Sequence, residues 1–239
     1  FSVSAENIYS RGPYFYIYIF MYFMAIMYLS VTTIITAKEF QNRSRTLIYP
    51  LIVFLTAETI IQITLPDLHV TWLCVTLLSV LYFIYCNEMW NQLDSLTGLL
   101  NQNSYLNHTS EMKRTDGVLV VFDVDDFKKV NDQYGHLKGD ICLSEIAYCI
   151  KKAYAKFGYC YRIGGDEFCV LLKNVSQQEK CLNEFIALLD EKKKKLDYLP
   201  TVSFGSCAFS GEDILTIKDR ADQNMYRLKK AKKENTFFK

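Results

Sequence analysis

An α/β layer containing an antiparallel hairpin, preceded by an all-α apolar module, is the architecture this chain predicts. Three observations carry that expectation. First, half of the 239 residues are hydrophobic and 15% are aromatic, yet only four Lys/Arg and five acids fall before Asp94. The charge is concentrated in the remainder, which is the composition shift expected between an apolar module and a polar domain. Second, short β-branched and aromatic runs alternate with helical segments after Asp94. Third, two of those runs, Gly158–Ile163 and Phe168–Leu172, flank a Gly164-Gly165 pair, as in a tight hairpin.

The apolar module comes first. Tyr14 to Ala37 is uncharged and long enough to cross a bilayer as a helix. Leu47 to Leu65 is a second candidate span, and Val70 to Cys86 a third, near the lower length limit. Residues 1–89 are thus expected to form a transmembrane, sensor-type module of three helices, multi-pass in the cell membrane and in contact with membrane lipid. Lys38, Arg43 and Arg45 lie between the first two spans, whereas Pro66 to His69 carries no Lys or Arg. The positive-inside tendency then places residues 90–239 in the cytoplasm. Glu58 and Gln62 share one face of the second span, which marks Glu58 either as a sensing residue or as a carboxyl satisfied by a neighbouring helix. The chain starts at Phe1 rather than Met, so the module is expected to be truncated.

The polar domain, residues 90–239, reads as a series of elements. Gly117 to Val124 is apolar on both faces, which suits a central buried strand, and it ends in Asp123. Helices follow from Asp125 and from Lys138. Strands at Tyr159–Ile163 and Phe168–Lys173 bracket the glycine turn, where Gly permits φ > 0 and close approach of a phosphate. A helix at Gln177–Leu196, a strand at Thr201–Phe209 and a helix at Ile214–Lys233 complete the series. Carboxylates on a strand end and on a hairpin suit a hard cation held against a nucleotide. Taken singly, each segment has a plainer reading: a hairpin at Gly164-Gly165, and a helix end with turn and cap at Asn131 to Asp140.

The eight cysteines have no C-x-x-C or metal-finger spacing and read as small buried hydrophobes. A net charge of +1 gives no reason to expect nucleic acid as a partner.

Five segments in order resemble the GGDEF family of diguanylate cyclases. They are Asp94-x-Leu96-Thr97-Gly98, Asp123-x-Asp125-x-Phe127-Lys128-x-x-Asn131-Asp132-x-Tyr134-Gly135-His136-x-x-Gly139-Asp140, Arg162-x-Gly164-Gly165-Asp166-Glu167-Phe168, Val202-Ser203-x-Gly205, and Ala221-Asp222-x-x-Met225-Tyr226-x-x-Lys229. The resemblance implies a sheet akin to nucleotide-cyclase and polymerase palms, and condensation of two GTP into cyclic di-GMP with release of two pyrophosphates by a homodimer. It implies two Mg²⁺ per active site, with Mn²⁺ an alternate. By motif position, Asp123, the Val124 carbonyl, Asp166 and Glu167 would hold metal. Asp166 would also assist deprotonation, and Lys128 would steady the triphosphate. Asn131 and Asp140 would bind guanine, with His136 beside the nucleotide and Gly164 and Gly165 under its phosphates. Lys229 and Lys233 align with phosphate-binding positions, although Lys230 to Asn235 departs from the family's Gly-Arg-Asn continuation. The family's Arg-x-x-Asp product-binding pair would fall at Ala155 and Gly158, which cannot serve it. A non-catalytic nucleotide-binding scaffold and a hybrid cyclase accepting ATP remain the alternative functions.

Overall fold

The computed structural model describes residues 71–111 and 116–237 throughout and, before them, residues 2–3, 9–10 and individual positions between 14 and 64. The chain divides into two compact units, 1–90 and 91–239.

In the first unit, β1 (Ser2–Val3) pairs antiparallel with β2 (Tyr9–Ser10), and α1 (Thr71–Asn91) follows. The expected three-helix membrane module is corrected here. Among the described residues no helix is long and apolar enough to cross a membrane. Tyr14–Ala37 and Leu47–Leu65 lie partly outside the described residues, as do Lys38, Arg43, Arg45, Glu58 and Gln62. The third candidate span becomes α1, whose apolar stretch is interrupted by Thr76 and Ser79 and ends in Asn87, Glu88 and Asn91. Asn87, Glu88 and Asn91 would lose water in a hydrocarbon core, whereas the Ser79 hydroxyl donates to the Val75 carbonyl of its own helix at 2.8 Å. The lipid partner, the multi-pass membrane location and the cytoplasmic orientation inferred from these spans fall with them.

The second unit is built on one antiparallel sheet. Its strands are β3 (Asp116–Val124), β4 (Gly158–Arg162), β5 (Glu167–Leu172) and β6 (Val202–Ser210), in spatial order β4-β5-β3-β6. The helices are α2 (Gln102–Glu111), α3 (Phe127–Tyr134), α4 (His136–Tyr154), α5 (Gln178–Lys195) and α6 (Ile214–Phe237). The β3 strand is central and apolar along nearly its whole length because it is covered on both faces. Its even residues Val118, Val120, Phe122 and Val124 join one core with Ile146, Ile150 and Tyr154 of α4 and Phe185 and Leu189 of α5. Its odd residues Leu119 and Val121 join a second core with Tyr161, Leu171, Ile217 and Ala221. Strand alternation therefore sends the odd positions toward α6.

That packing depends on Gly205. A Cβ there would lie 2.2 Å from the Ala221 carbonyl oxygen and 2.3 Å from the Met225 nitrogen. The missing side chain lets the α6 backbone settle directly on β6.

The α2 helix is an element that hydrophobic periodicity does not announce. It is held by Tyr105, which meets Tyr161 edge-on at 5.5 Å, and by His108 Nδ1, 2.8 Å from the Tyr161 hydroxyl. Cys142, Cys149, Cys160, Cys169, Cys181 and Cys207 are all buried thiols outside any disulfide, and burial raises the thiol pKa of Cys149 to about 11.

The turn at residues 94–101 fastens the start of this unit to the hairpin. The Asp94 carboxylate accepts from the Thr97 amide (2.9 Å) and hydroxyl (2.6 Å). The Arg162 guanidinium donates to both Asp94 oxygens at 3.0 and 3.2 Å. Its other edge donates to the Gly165 carbonyl from Nε at 3.2 Å and Nη2 at 2.7 Å. One fork thus ties the opening turn to the glycine turn. Burial alone would raise the Asp94 carboxyl, but the Thr97 hydrogen bonds and the Arg162 charge outweigh it and hold the pKa below the usual value.

Two outcomes follow from this packing. Gly205→Ala should destabilise the second unit by about 1–3 kcal/mol, the usual cost of an added group in a filled interface; urea titration measures it, and an unchanged midpoint would mean that α6 sits more loosely. Asp94 carries a depressed pKa, so its contribution is present above the unfolded value and lost as pH falls through the folded one. Asp94→Asn should therefore be less stable than wild type at pH 7, with the gap narrowing as pH falls below the ordinary carboxylate range. A gap independent of pH in urea titrations would contradict this.

Candidate active site

The β3 alternation decides where the acidic end of the strand points. Asp123 continues the odd series and so lies on the α6 face. It pairs across the sheet with Glu167 of β5 and with Ser203 of β6. The glycine turn folds back beside it, and the Val124 amide donates to the Asp166 carbonyl at 3.2 Å. Two carboxylate residues far apart in sequence, Asp123 and Asp166, are thereby brought to adjoining backbone positions at one end of the sheet.

Neither glycine of the turn uses the left-handed freedom expected of it. Positive φ occurs among the described residues at Gly98, Gly135, Gly211 and Asp126. The turn is closed instead by the Ile163 and Gly164 amides, which donate to the Glu167 carbonyl at 3.0 and 3.3 Å, and by Arg162 on Gly165. A Cβ on Gly165 would meet nothing within 4 Å, so open space lies over the turn. At Gly164 it would lie 3.2 Å from Glu167 Oε2, so the Glu167 carboxylate curls back over the turn.

Lys229 reaches this end of the sheet from α6. Its ammonium contacts Asp123 Oδ1 and lies 3.7 Å from Asp125 Oδ1. Burial disfavours the charge, but the Asp123 hydrogen bond and the fields of Asp123, Asp125 and Asp166 outweigh it and raise the lysine pKa. Asp125 itself is held rigidly: the hydroxyls of Thr201 and Ser203 donate to its two oxygens, each at 2.7 Å, and its amide donates to the Thr201 carbonyl at 2.9 Å. Its motif position was visible in the sequence, but its partners are more than seventy residues away, so its place in the cluster was not.

A second group of residues lies on α3 and α4. Lys128 and Asn131 are one turn apart on α3, with Lys128 exposed. His136 and Asp140 are one turn apart at the start of α4, both exposed. Asn131 Oδ1 is buried and lacks a hydrogen-bond partner among the described residues. It lies against Gly139, where a Cβ would come within 1.9 Å of that oxygen. Gly139 is thus the residue that lets the Asn131 side chain lie beside the first turn of α4, next to Asp140. Lys233 belongs to α6, but its side chain is outside the described residues. Lys192 to Lys195 form the last turn of α5, where Lys192 pairs with Glu145 and Lys195 with Glu191.

Among the described residues no three metal-type side chains converge as a formed metal cage. The donor chemistry nevertheless fits a hard divalent cation. Asp123 and Asp166 supply oxygen donors, and a lysine ammonium already stands among three carboxylates as a cationic counterpart. Mg²⁺ is commonly bound by one or two carboxylates together with phosphate oxygens and water.

Comparison with known proteins agrees with this geometry. The family described as "Diguanylate cyclase, GGDEF domain" matches residues 91–235. Diguanylate cyclase A of Treponema denticola is 35% identical over 139 residues, 55% of this chain and 37% of that protein. Diguanylate cyclase DgcZ of Escherichia coli K12 is 30% identical over 167 residues, 66% of this chain and 56% of that protein. The chain therefore spans less than two thirds of the length of either relative. A crystal structure of the coiled coil and GGDEF domain of DgcB from Caulobacter crescentus, in complex with c-di-GMP, superposes with a TM-score of 0.57 at 25% identity, covering 66% of this chain and 93% of that one. With the match running from the Asp94 turn through the signature hairpin to α6, the chain belongs to the GGDEF family, and residues 91–235 are its diguanylate cyclase enzyme domain.

Proposed function

We propose that this chain condenses two GTP into cyclic di-GMP and two pyrophosphates. The observation that carries this reading is the meeting of Asp123, from the central strand, with Asp166, from the signature turn, opposite the Lys229 ammonium. Each GTP 3′-oxygen bonds to the α-phosphorus of the other nucleotide, each hydroxyl proton is lost, and each α–β phosphoanhydride bond breaks to release pyrophosphate. One domain holds one GTP, so the active unit is a homodimer with facing sites.

The chain's own residues bind, orient and move the proton. Asp140 accepts from the N1–H and N2–H₂ edge of guanine, which adenine lacks. Asn131, whose Oδ1 has no partner among the described residues, takes a second position on the base, and His136 flanks the nucleotide. The open space over Gly165 lets phosphates approach the turn, where Gly164 and Gly165 present backbone alone. Lys128, Lys229 and Lys233 offset triphosphate charge, as point charges rather than bidentate forks. The Asp166 carboxylate accepts the proton of the attacking hydroxyl. Enzymes of this family use a divalent metal, commonly Mg²⁺; Asp123, the Val124 carbonyl, Asp166 and Glu167 would hold it here, and it supplies neutralisation of charge on the phosphoryl oxygens.

Two measurements test this. Asp166→Ala should lower pyrophosphate release from GTP on the order of a thousandfold, as expected when about 4 kcal/mol of transition-state stabilisation is lost, with little change in thermal stability. Near-wild-type turnover would overturn the assignment. Product feedback is the second. The family's product-binding Arg-x-x-Asp positions fall at Ala155 and Gly158. Gly158 leaves no room for an acid, because a Cβ there would lie 2.3 Å from the Leu171 carbonyl oxygen. Initial rates should therefore be insensitive to added cyclic di-GMP at low micromolar levels. Strong non-competitive inhibition, relieved by substitutions around Lys156, would contradict this.

A further inference from the structure

We propose that Lys229 is a built-in placeholder cation whose ammonium occupies the carboxylate cleft until nucleotide arrives, so that divalent metal and nucleotide bind the site interdependently. The inference rests on the reading of Asp123 and Asp166 as metal-holding residues.

The geometry favours an ammonium fixed to the acids rather than one free in solvent. The Lys229, Asp123 and Asp125 side chains are only 28%, 19% and 14% exposed. The α6 backbone is pinned one turn earlier, where Met225 rests on Gly205. The lysine stem therefore starts from a fixed point and reaches the end of the sheet. Asp125 acts as a positioning residue. Thr201 and Ser203 hold its two oxygens, and Oδ1 faces the ammonium at 3.7 Å. Asp123 makes the direct contact, with the same carboxylate that the metal would need.

The consequence follows from charge. A divalent ion arriving alone meets a cation on its ligand, in a partly desolvated cleft where like charges repel more strongly than in water. A triphosphate changes the balance by offering the ammonium a competing anionic partner. Lysine suits this exchange because it is a compact point charge on a flexible four-carbon stem. Once the ammonium turns to phosphate, Asp123 is released to the metal. Coupling of this kind is reciprocal, so metal raises nucleotide affinity by the same factor.

The test is Mn²⁺ binding by the full chain, followed by the electron paramagnetic resonance signal of free Mn²⁺, with and without a non-hydrolysable GTP analogue. Without nucleotide, Lys229→Met should bind Mn²⁺ about tenfold more tightly than wild type, a factor within the usual range of coupling. The analogue should tighten Mn²⁺ binding to both proteins, because its phosphates are metal ligands, but by a larger factor for wild type than for Lys229→Met. Lys229→Gln should behave likewise, and it carries the test if the methionine variant does not fold. Asp123→Asn separates the two layers of the argument. If it leaves Mn²⁺ binding with the analogue unchanged, the metal-site reading itself fails. If it weakens that binding while neither Lys229 variant binds Mn²⁺ more tightly than wild type without nucleotide, the placeholder role alone is overturned.

Discussion

The two-residue alternation of β3 is the constraint on which the site depends. A strand buried on both faces has no neutral direction, so each residue must commit to one core or the other. Val118, Val120, Phe122 and Val124 commit to α4 and α5. Leu119 and Val121 commit to the face of α6. Asp123 inherits the second direction at the point where the strand emerges from its cores. A slip of one residue in the β3–β5 register would turn the carboxylate away from Lys229 and move Val124 off its own core. The apolar packing of the whole sheet therefore enforces the placement of one charged side chain.

Around that strand end, the remaining contacts limit how far the acidic cluster can relax. Arg162 holds the glycine turn through the Gly165 carbonyl and is itself held by Asp94. Thr201 and Ser203 fix Asp125 from β6 and the segment before it. Gly205 fixes the height of α6 over the sheet. Each of these ties joins segments distant in sequence, so the cluster is a product of tertiary structure rather than of any one motif. This preorganisation is what phosphoryl transfer requires, since catalysis there consists mainly of positioning and electrostatic stabilisation.

Much of the polar domain was legible because its signals are local. The apolar run ending in Asp123 marks a central strand, and Gly164-Gly165 between aromatic runs marks a hairpin. The α2 helix was not legible. Its sequence is largely polar, and what holds it is Tyr105 and His108 against Tyr161, a contact that spans more than fifty residues. The glycine turn misled in one respect: left-handed backbone was expected at Gly164 or Gly165, but near the site it falls at Asp126, the cap of α3, and at Gly135. The roles of Asp125, Gly139 and Gly205 depend on partners that sequence spacing does not reveal. The membrane reading failed for another reason. Hydropathy counts apolar residues, but in α1 they are interrupted by hydroxyl side chains and run out at Asn87 and Glu88, and no described helix meets the length and apolarity of a membrane crossing.

The central claim is that this acidic strand end makes a phosphodiester between two guanine nucleotides. Its most direct test is to incubate the purified full chain with Mg²⁺ and GTP, and separately with ATP, and to quantify pyrophosphate and cyclic dinucleotide together. The account predicts two pyrophosphates for each cyclic di-GMP from GTP, and neither product from ATP. Saturable GTP binding with no pyrophosphate released would contradict it and identify the chain as a nucleotide-binding scaffold.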